Sequence, residues 1–238
     1  MTQNTQTDGE RGTTRISHEL SALLGVSGEE SLINIEGKFE ERVIRIIIDA
    51  LAIYGKDRNH IMKISQLSSL LAGAIGLGAR YSEVLEAASL VYDIGNLAID
   101  PEIYKKDNKL SFEEFEIIKH HTTIGQKALL SQHNPMLDMA ALISAQHHEW
   151  YDGSGYPAGL KGEEISLPAR IVAVADTVAA LCSPRYGREI MDFDKVLIHM
   201  QRGSGLHFDP EVIERFMENK EQIALILECT MAEPTDTE

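Results

Sequence analysis

The chemistry-bearing residues of this chain fall at His60, Asp93, His121, His147 with His148, and Asp176. They recur at intervals of roughly 26 to 33 residues, about one helix plus one loop each. A single imidazole on an apolar helix face is more often hydrogen-bonded structure than a ligand. A carboxylate such as Asp176, set among Val172, Ala175 and Ala179, is harder to explain, because ionised acid on a buried stripe is costly unless paired or metal-bound. Taken together, six such groups on the inward faces of one bundle would repel or stay unsatisfied without a cation between them. Borderline and hard divalent metals (Fe, Mn, Ni or Zn) accept mixed His and carboxylate ligands. A bridging Asp with several His around it describes a dinuclear site, which activates water and clamps a phosphoryl group.

The elements that must position these groups read as helices throughout. Phe39 to Tyr54 carries Phe39, Val43, Ile46, Ile47 and Ala50 at helical spacing. Ile61, Ile64, Leu67, Leu71 and Ala74 form the next stripe, ended by Gly76-Leu77-Gly78, with His60 one residue ahead of it. Ser82 reads as the cap of a helix running into Tyr92-Asp93-Ile94-Gly95-Asn96, and Asp100-Pro101 opens a short one. Ser111 and Glu114 form a capping box for a long helix that turns His121 and Gly125 inward and His120 to solvent. The following helix holds Leu137, Ala140, Ala141, Ser144, His147 and His148 on one stripe, and Ser166 and Pro168 start the helix that carries Asp176. Two more are expected near Phe193 to Met200 and Pro210 to Met217. A short helix over Ile16 to Gly25 completes the set. No segment alternates like a strand, so the fold class is all-α, a bundle of about seven or more helices.

Composition limits the function. A formal charge of −15 argues against a general nucleic-acid binder, so DNA is not an expected partner, although bound cations could still draw an anionic substrate. The two cysteines, Cys182 and Cys229, build no disulfide framework, and a reducing cytoplasm is the expected compartment. The polar start of the chain has no apolar signal region, and the longest apolar run, Val43 to Ile53, is broken by Arg45 and Asp49, so no membrane span is expected. The expected organisation is a disordered tail over 1–15, a helical appendage over 16–36, the main domain over 37–220, and a helix end with acidic tail over 221–238.

The ordered run His147-His148-Glu149, Asp152-Gly153-Ser154-Gly155-Tyr156-Pro157, Gly159-Leu160, Ile165 and Ala169-Arg170-Ile171, with His121 and Gly125 before it and Phe208-Asp209-Pro210 after, resembles the HD-GYP family. That family is a branch of the HD superfamily of metal-dependent phosphohydrolases. The resemblance covers about Tyr54 to Phe216 and implies an HD-domain helical bundle that hydrolyses the bacterial second messenger cyclic di-GMP to pGpG or GMP. It implies His60, Asp93 and Asp176 around one metal, with Asp93 bridging to a second held by His121, His147 and His148. Arg185 and Arg188 fall where the family grips the dinucleotide, and Gly155, Tyr156 and Pro157 form the loop beside the site. Family members commonly carry a sensor domain ahead of the catalytic one. Only about 35 residues precede the first strong helix here, so the domain is expected to stand alone or to be regulated by a separate signalling protein.

Three positions depart from the family pattern. Tyr92 stands for a metal-ligating His, and Asn96 for a Lys placed at the scissile phosphate. Lys56 stands where three-metal members carry Glu. A phenol with an ordinary pKa of about 10 is a poor ligand, and Asn96 withdraws a cation from developing phosphate charge. One or two metals are therefore expected, with Asp93 and Asn96 nearest the chemistry. Three readings follow: a weakened cyclic di-GMP phosphodiesterase, an inactive module that binds cyclic di-GMP or metal, or a protein-interaction domain.

Overall fold

The computed structural model describes residues 29–106, 109–131, 133–183 and 190–229. The chain divides by its own internal contacts into Met1–Ile46 and Ile47–Glu238. In the first unit the described part is the start of helix α1 (Glu29–Tyr54), which begins earlier than its apolar stripe suggests. The expected short helix over 16–25, the acidic tail and Arg185 and Arg188 lie outside the described residues.

The second unit continues through α2 (Arg58–Ile75), α3 (Ala79–Ala88), a 3-10 turn (Ile94–Ala98), α4 (Pro101–Tyr104), α5 (Phe112–Leu129) and α6 (Pro135–Gln146). It closes with α7 (Leu167–Leu181), α8 (Phe193–Arg202), α9 (Pro210–Glu218) and α10 (Lys220–Leu227). No strand forms among the described residues, so the all-α reading holds. Nor is any described helix long and apolar enough to cross a membrane.

Helix α7 is the axis of the core. Its residues Ala169, Ile171, Val172, Ala173, Val174, Ala175, Val178 and Ala179 are all buried, so it is apolar around most of its circumference, as a helix enclosed by others must be. Helices α2, α6, α8 and α9 pack around it. Ile64, Leu67 and Leu71 reach in from α2, Ile143 from α6, Phe193 and Met200 from α8, and Phe216 from α9. Asp176 is thus carried on the most enclosed rod of the fold.

Helix ends follow local chemistry, with three differences from expectation. Ser111 and Glu114 form the full capping box, and Asp100 caps α4 as anticipated. Helix α3 opens at Gly78 rather than Ser82, because Gly76 (φ 90°) closes α2 in the left-handed region and leaves a very short connection. Helix α6 stops at Gln146, with His147 as its C-cap, so the two imidazoles sit on the helix exit and not on its stripe. Asn219 interrupts the last stretch by turning its amide onto the Arg215 carbonyl (2.8 Å), which separates α9 from an additional helix, α10.

Two glycines bring the central helices together. A Cβ on Gly125 would lie 2.3 Å from Ser144 Oγ, so α5 and α6 approach more closely there than a side chain permits. On Gly95 it would lie 2.0 Å from the His121 carbonyl oxygen and 2.7 Å from the Gly125 amide nitrogen. The turn after α3 is thereby pressed against the backbone of α5. Gly95→Ala must push these backbones apart and is expected to cost about 3 kcal/mol, the upper range for overpacking, read as a lowered urea midpoint. An unchanged midpoint would contradict this close backbone approach.

Candidate metal centre

The side chains singled out by spacing converge where α2, the turn after α3, α5 and the exit of α6 meet α7. Asp57 caps α2 by accepting from the Asn59 amide (3.1 Å), which sets His60 in its first turn, facing inward. Asp93 stands immediately before the 3-10 turn that Gly95 anchors to α5. The close α5–α6 contact, reinforced by Ser144 Oγ donating to the Thr122 carbonyl (3.2 Å), puts His121 opposite His147.

The imidazoles are oriented by backbone carbonyls. His121 Nδ1–H donates to Ile118 O (2.6 Å), and His147 Nδ1–H to the carbonyls of Ile143 and Ser144 (3.0 Å each). A carbonyl can only accept, so in the neutral rings both lone pairs reside on Nε2. Those two nitrogens face each other at 3.3 Å. The His148 ring joins them, its centroid 4.0 Å from His147 and 5.1 Å from His121, and ligand atoms of all three lie within 4.8 Å of one another. Burial pushes the His147 pKa down to about 4 and that of His148 well below its usual value, so both are uncharged near neutrality. Asp93 Oδ1 lies 3.5 Å from His121 Nε2 and 3.9 Å from His147 Nε2, is buried, and accepts no hydrogen bond among the described residues.

Lone pairs aimed at a common point with an unsatisfied carboxylate oxygen fit a divalent cation. The carbonyl contacts at Nδ1 are the outer support that metal-binding histidines commonly have. His60 and Asp176 form a second group, with Nε2 3.4 Å from Oδ1. Burial opposes ionisation of Asp176, but the His60 contact and the Lys56 charge hold its pKa well below the usual carboxylate range.

Sequence reasoning missed the part played by Lys56. Its ammonium forms an ion pair with Asp93 Oδ2, and both side chains are largely buried. Burial disfavours each charge, yet the pair prevails, lowering the Asp93 pKa and raising that of Lys56. The signal was present: two inward acids, a neutral Tyr92 where a ligand is expected, and a lysine at the mouth of α2. Tyr92 itself is buried with its ring edge-on to His147, centroids 4.8 Å apart. The Asn96 amide is engaged with the Asp93 carbonyl (3.0 Å), capping its own turn.

The loop after His148 is held by Glu149, a second omission. This buried carboxylate accepts from the amides of Ala158 (2.7 Å) and Leu160 (3.0 Å), drawing the glycine turn back on itself. Gly153 adopts φ 89°, while Gly155 is required for space, since a Cβ there would lie 2.2 Å from the Trp150 amide. Tyr156 consequently stacks on His148 (4.7 Å, 26°), and Pro157 follows it at the edge of the site. Arg170 donates to Ile165 O (3.0 Å) and pairs with Asp209, whose other oxygen caps α9. Two segments of the motif far apart in the chain thus lock one another.

The chain matches the HD domain family over residues 41–212. It is 37% identical over 164 residues to the cyclic di-GMP phosphodiesterase response regulator RpfG of Xanthomonas campestris, an alignment covering 69% of this chain and 43% of that protein. A cyclic di-GMP phosphodiesterase of Thermotoga maritima is likewise 37% identical, over 69% of this chain and 45% of its own length. The chain therefore spans less than half of each relative. In fold it resembles the crystal structure of a cyclic GMP-AMP specific phosphodiesterase of Vibrio cholerae, with a TM-score of 0.57 at 18% identity, over 79% of this chain and 50% of that one. With the family match spanning most of the helical unit that carries these histidines and acids, this chain belongs to the HD domain family.

Proposed function

We propose that this chain is a metal-dependent phosphohydrolase that hydrolyses cyclic di-GMP to pGpG or GMP, with turnover weakened by Tyr92 and Asn96. The observation that carries this reading is the convergence of His121 Nε2, His147 Nε2 and the unsatisfied Asp93 Oδ1 on one buried point. His121, His147 and His148 would hold the metal, with Asp93 beside it and His60 and Asp176 lining the adjoining wall. A divalent ion in that place supplies an activated water and neutralises phosphate charge. Around it the protein's own groups act. Glu149 fixes the loop, and the Tyr156 ring, kept protonated by burial and by the nearby charges of Asp93 and Asp176, presents a flat apolar face for a base or ribose. Arg185 and Arg188 are assigned to the phosphates. The relatives named as cyclic di-GMP phosphodiesterases support the choice of substrate.

Asn96 favours a second reading, binding of cyclic di-GMP without turnover, because its amide is engaged with the Asp93 carbonyl and carries no charge toward a phosphate. Chromatography of products after incubating Mn(II)-loaded protein with cyclic di-GMP separates the two, since linear product forms only under the first. Calorimetric binding without product would establish the second, and neither binding nor product would overturn both.

His147→Ala is expected to lower metal retention, measured by plasma emission, by about 100-fold or more, since even outer-sphere partners contribute 10- to 100-fold. Full retention would remove the imidazole cluster from the account. Tyr92→His with Asn96→Lys is expected to raise the hydrolysis rate about 10-fold or more, the scale of restoring one charged contact to a phosphate transition state. A double variant that binds metal and nucleotide but hydrolyses no faster would show that these two positions do not limit turnover.

A further inference from the structure

The charged groups of the centre are not evenly mixed. His121, His147 and His148 cluster on one side, while Asp93 and Asp176 lie with Lys56 and His60, the ammonium paired with Asp93 and His60 with Asp176. We infer that the Lys56 ammonium is a resident cation that takes the place of a second metal, so that the protein is a one-metal, one-lysine centre. The inference rests on reading the site as a metal centre and specifies its composition.

The placement of Lys56 follows from the backbone. Helix α1 ends at Tyr54, and Gly55 turns the chain with φ 126°, a conformation open to glycine. The Lys56 amide donates to Leu51 O (2.9 Å), and Asp57 immediately caps α2. Three residues thus connect two helices, and Lys56 is pinned at both ends with its side chain directed into the bundle. Its ammonium takes Asp93 Oδ2, which leaves Oδ1 alone facing His121 and His147.

A buried and a half-buried carboxylate in one site require positive charge beside them. A dinuclear centre would supply it with a second divalent ion shared by Asp93 and bound by His60 and Asp176. Here the ammonium already pairs with Asp93, and its field reaches Asp176. A divalent ion entering the same space would have to break the Lys56–Asp93 pair and then face a buried like charge. The imidazole side has no such competitor, because the ammonium is held on the far oxygen of Asp93. The lysine also restores to the site a fixed positive charge that Asn96 lacks, delivered from a different helix junction.

The test is metal stoichiometry. Wild-type protein, stripped and then saturated with Mn(II), is expected to retain about one ion per chain and to give an uncoupled electron paramagnetic resonance spectrum. Lys56→Ala is expected to retain about two, with a spin-coupled signal, and Lys56→Arg, which keeps the cation, about one. Should the alanine variant not fold, Lys56→Met preserves the length of the side chain, and the same count is read on it. Two ions in the wild type, or one in both wild type and the neutral variants, would overturn the inference while leaving a metal centre intact. No manganese in any folded variant would overturn the metal reading and this inference with it.

Discussion

A carboxylate and three imidazoles buried in one place impose a condition of charge on everything around them. Asp93 cannot sit ionised in the core without a cation, and ionised it is, since Lys56 outweighs the cost of burial. Removing one partner of such a pair leaves an uncompensated charge, which is far more costly than never having built the pair. The same condition governs Asp176, which relies on His60 and on the field of Lys56. The polar centre therefore constrains the fold as well as the chemistry: the α1–α2 junction, the turn after α3 and α7 must all hold register for the Lys56 charge to reach both acids.

Register is obtained by steric means rather than by polar ones. Gly95, Gly125 and Ser144 form a stack of small groups through which the turn, α5 and α6 come nearly to backbone contact. Packed interiors do not yield gradually, so the distance between His121 and His147 is set by how close these backbones can come. Carbonyl contacts then fix ring rotation, and the capped ends of α2 and α4 fix where each helix starts. Positioning is distributed over backbone groups and small residues outside the histidines and acids themselves.

Much of this was legible in the chain. Periodicity located the helices because each buries one stripe, and Ser111, Asp100 and Asp209 announced starts through side chains that cap them locally. The inward histidines and acids were visible as polar exceptions on apolar faces. Three things were not visible, each for a nonlocal reason. Ser82 resembles a cap, but Gly78 opens the helix because the preceding glycine has already turned the chain. Glu149 reads as an ordinary acid beside two histidines until the loop folds back to present the Ala158 and Leu160 amides. Lys56 lies 37 residues from Asp93, and only the packing of the turn after α3 against the α1–α2 junction brings them together.

The proposed function requires the centre to admit an anion into a chain of formal charge −15. Long-range attraction works against such a ligand, so under that proposal affinity comes from short-range positive charge and from flat apolar surface. Both lie on one side of the imidazole cluster. Tyr156 stacks on His148 and meets Phe115 edge-on, with ring centroids 6.0 Å apart, and the Lys119 ammonium lies 5.3 Å from the Tyr156 centroid. Lys119 is itself paired with Glu116 (2.6 Å), so its charge is damped until a stronger anion competes for it. A wall of this kind favours aromatic bases that can stack over ligands that offer phosphate alone. Tyr156 covers one face of His148, and the Glu149 clamp holds the loop that carries it.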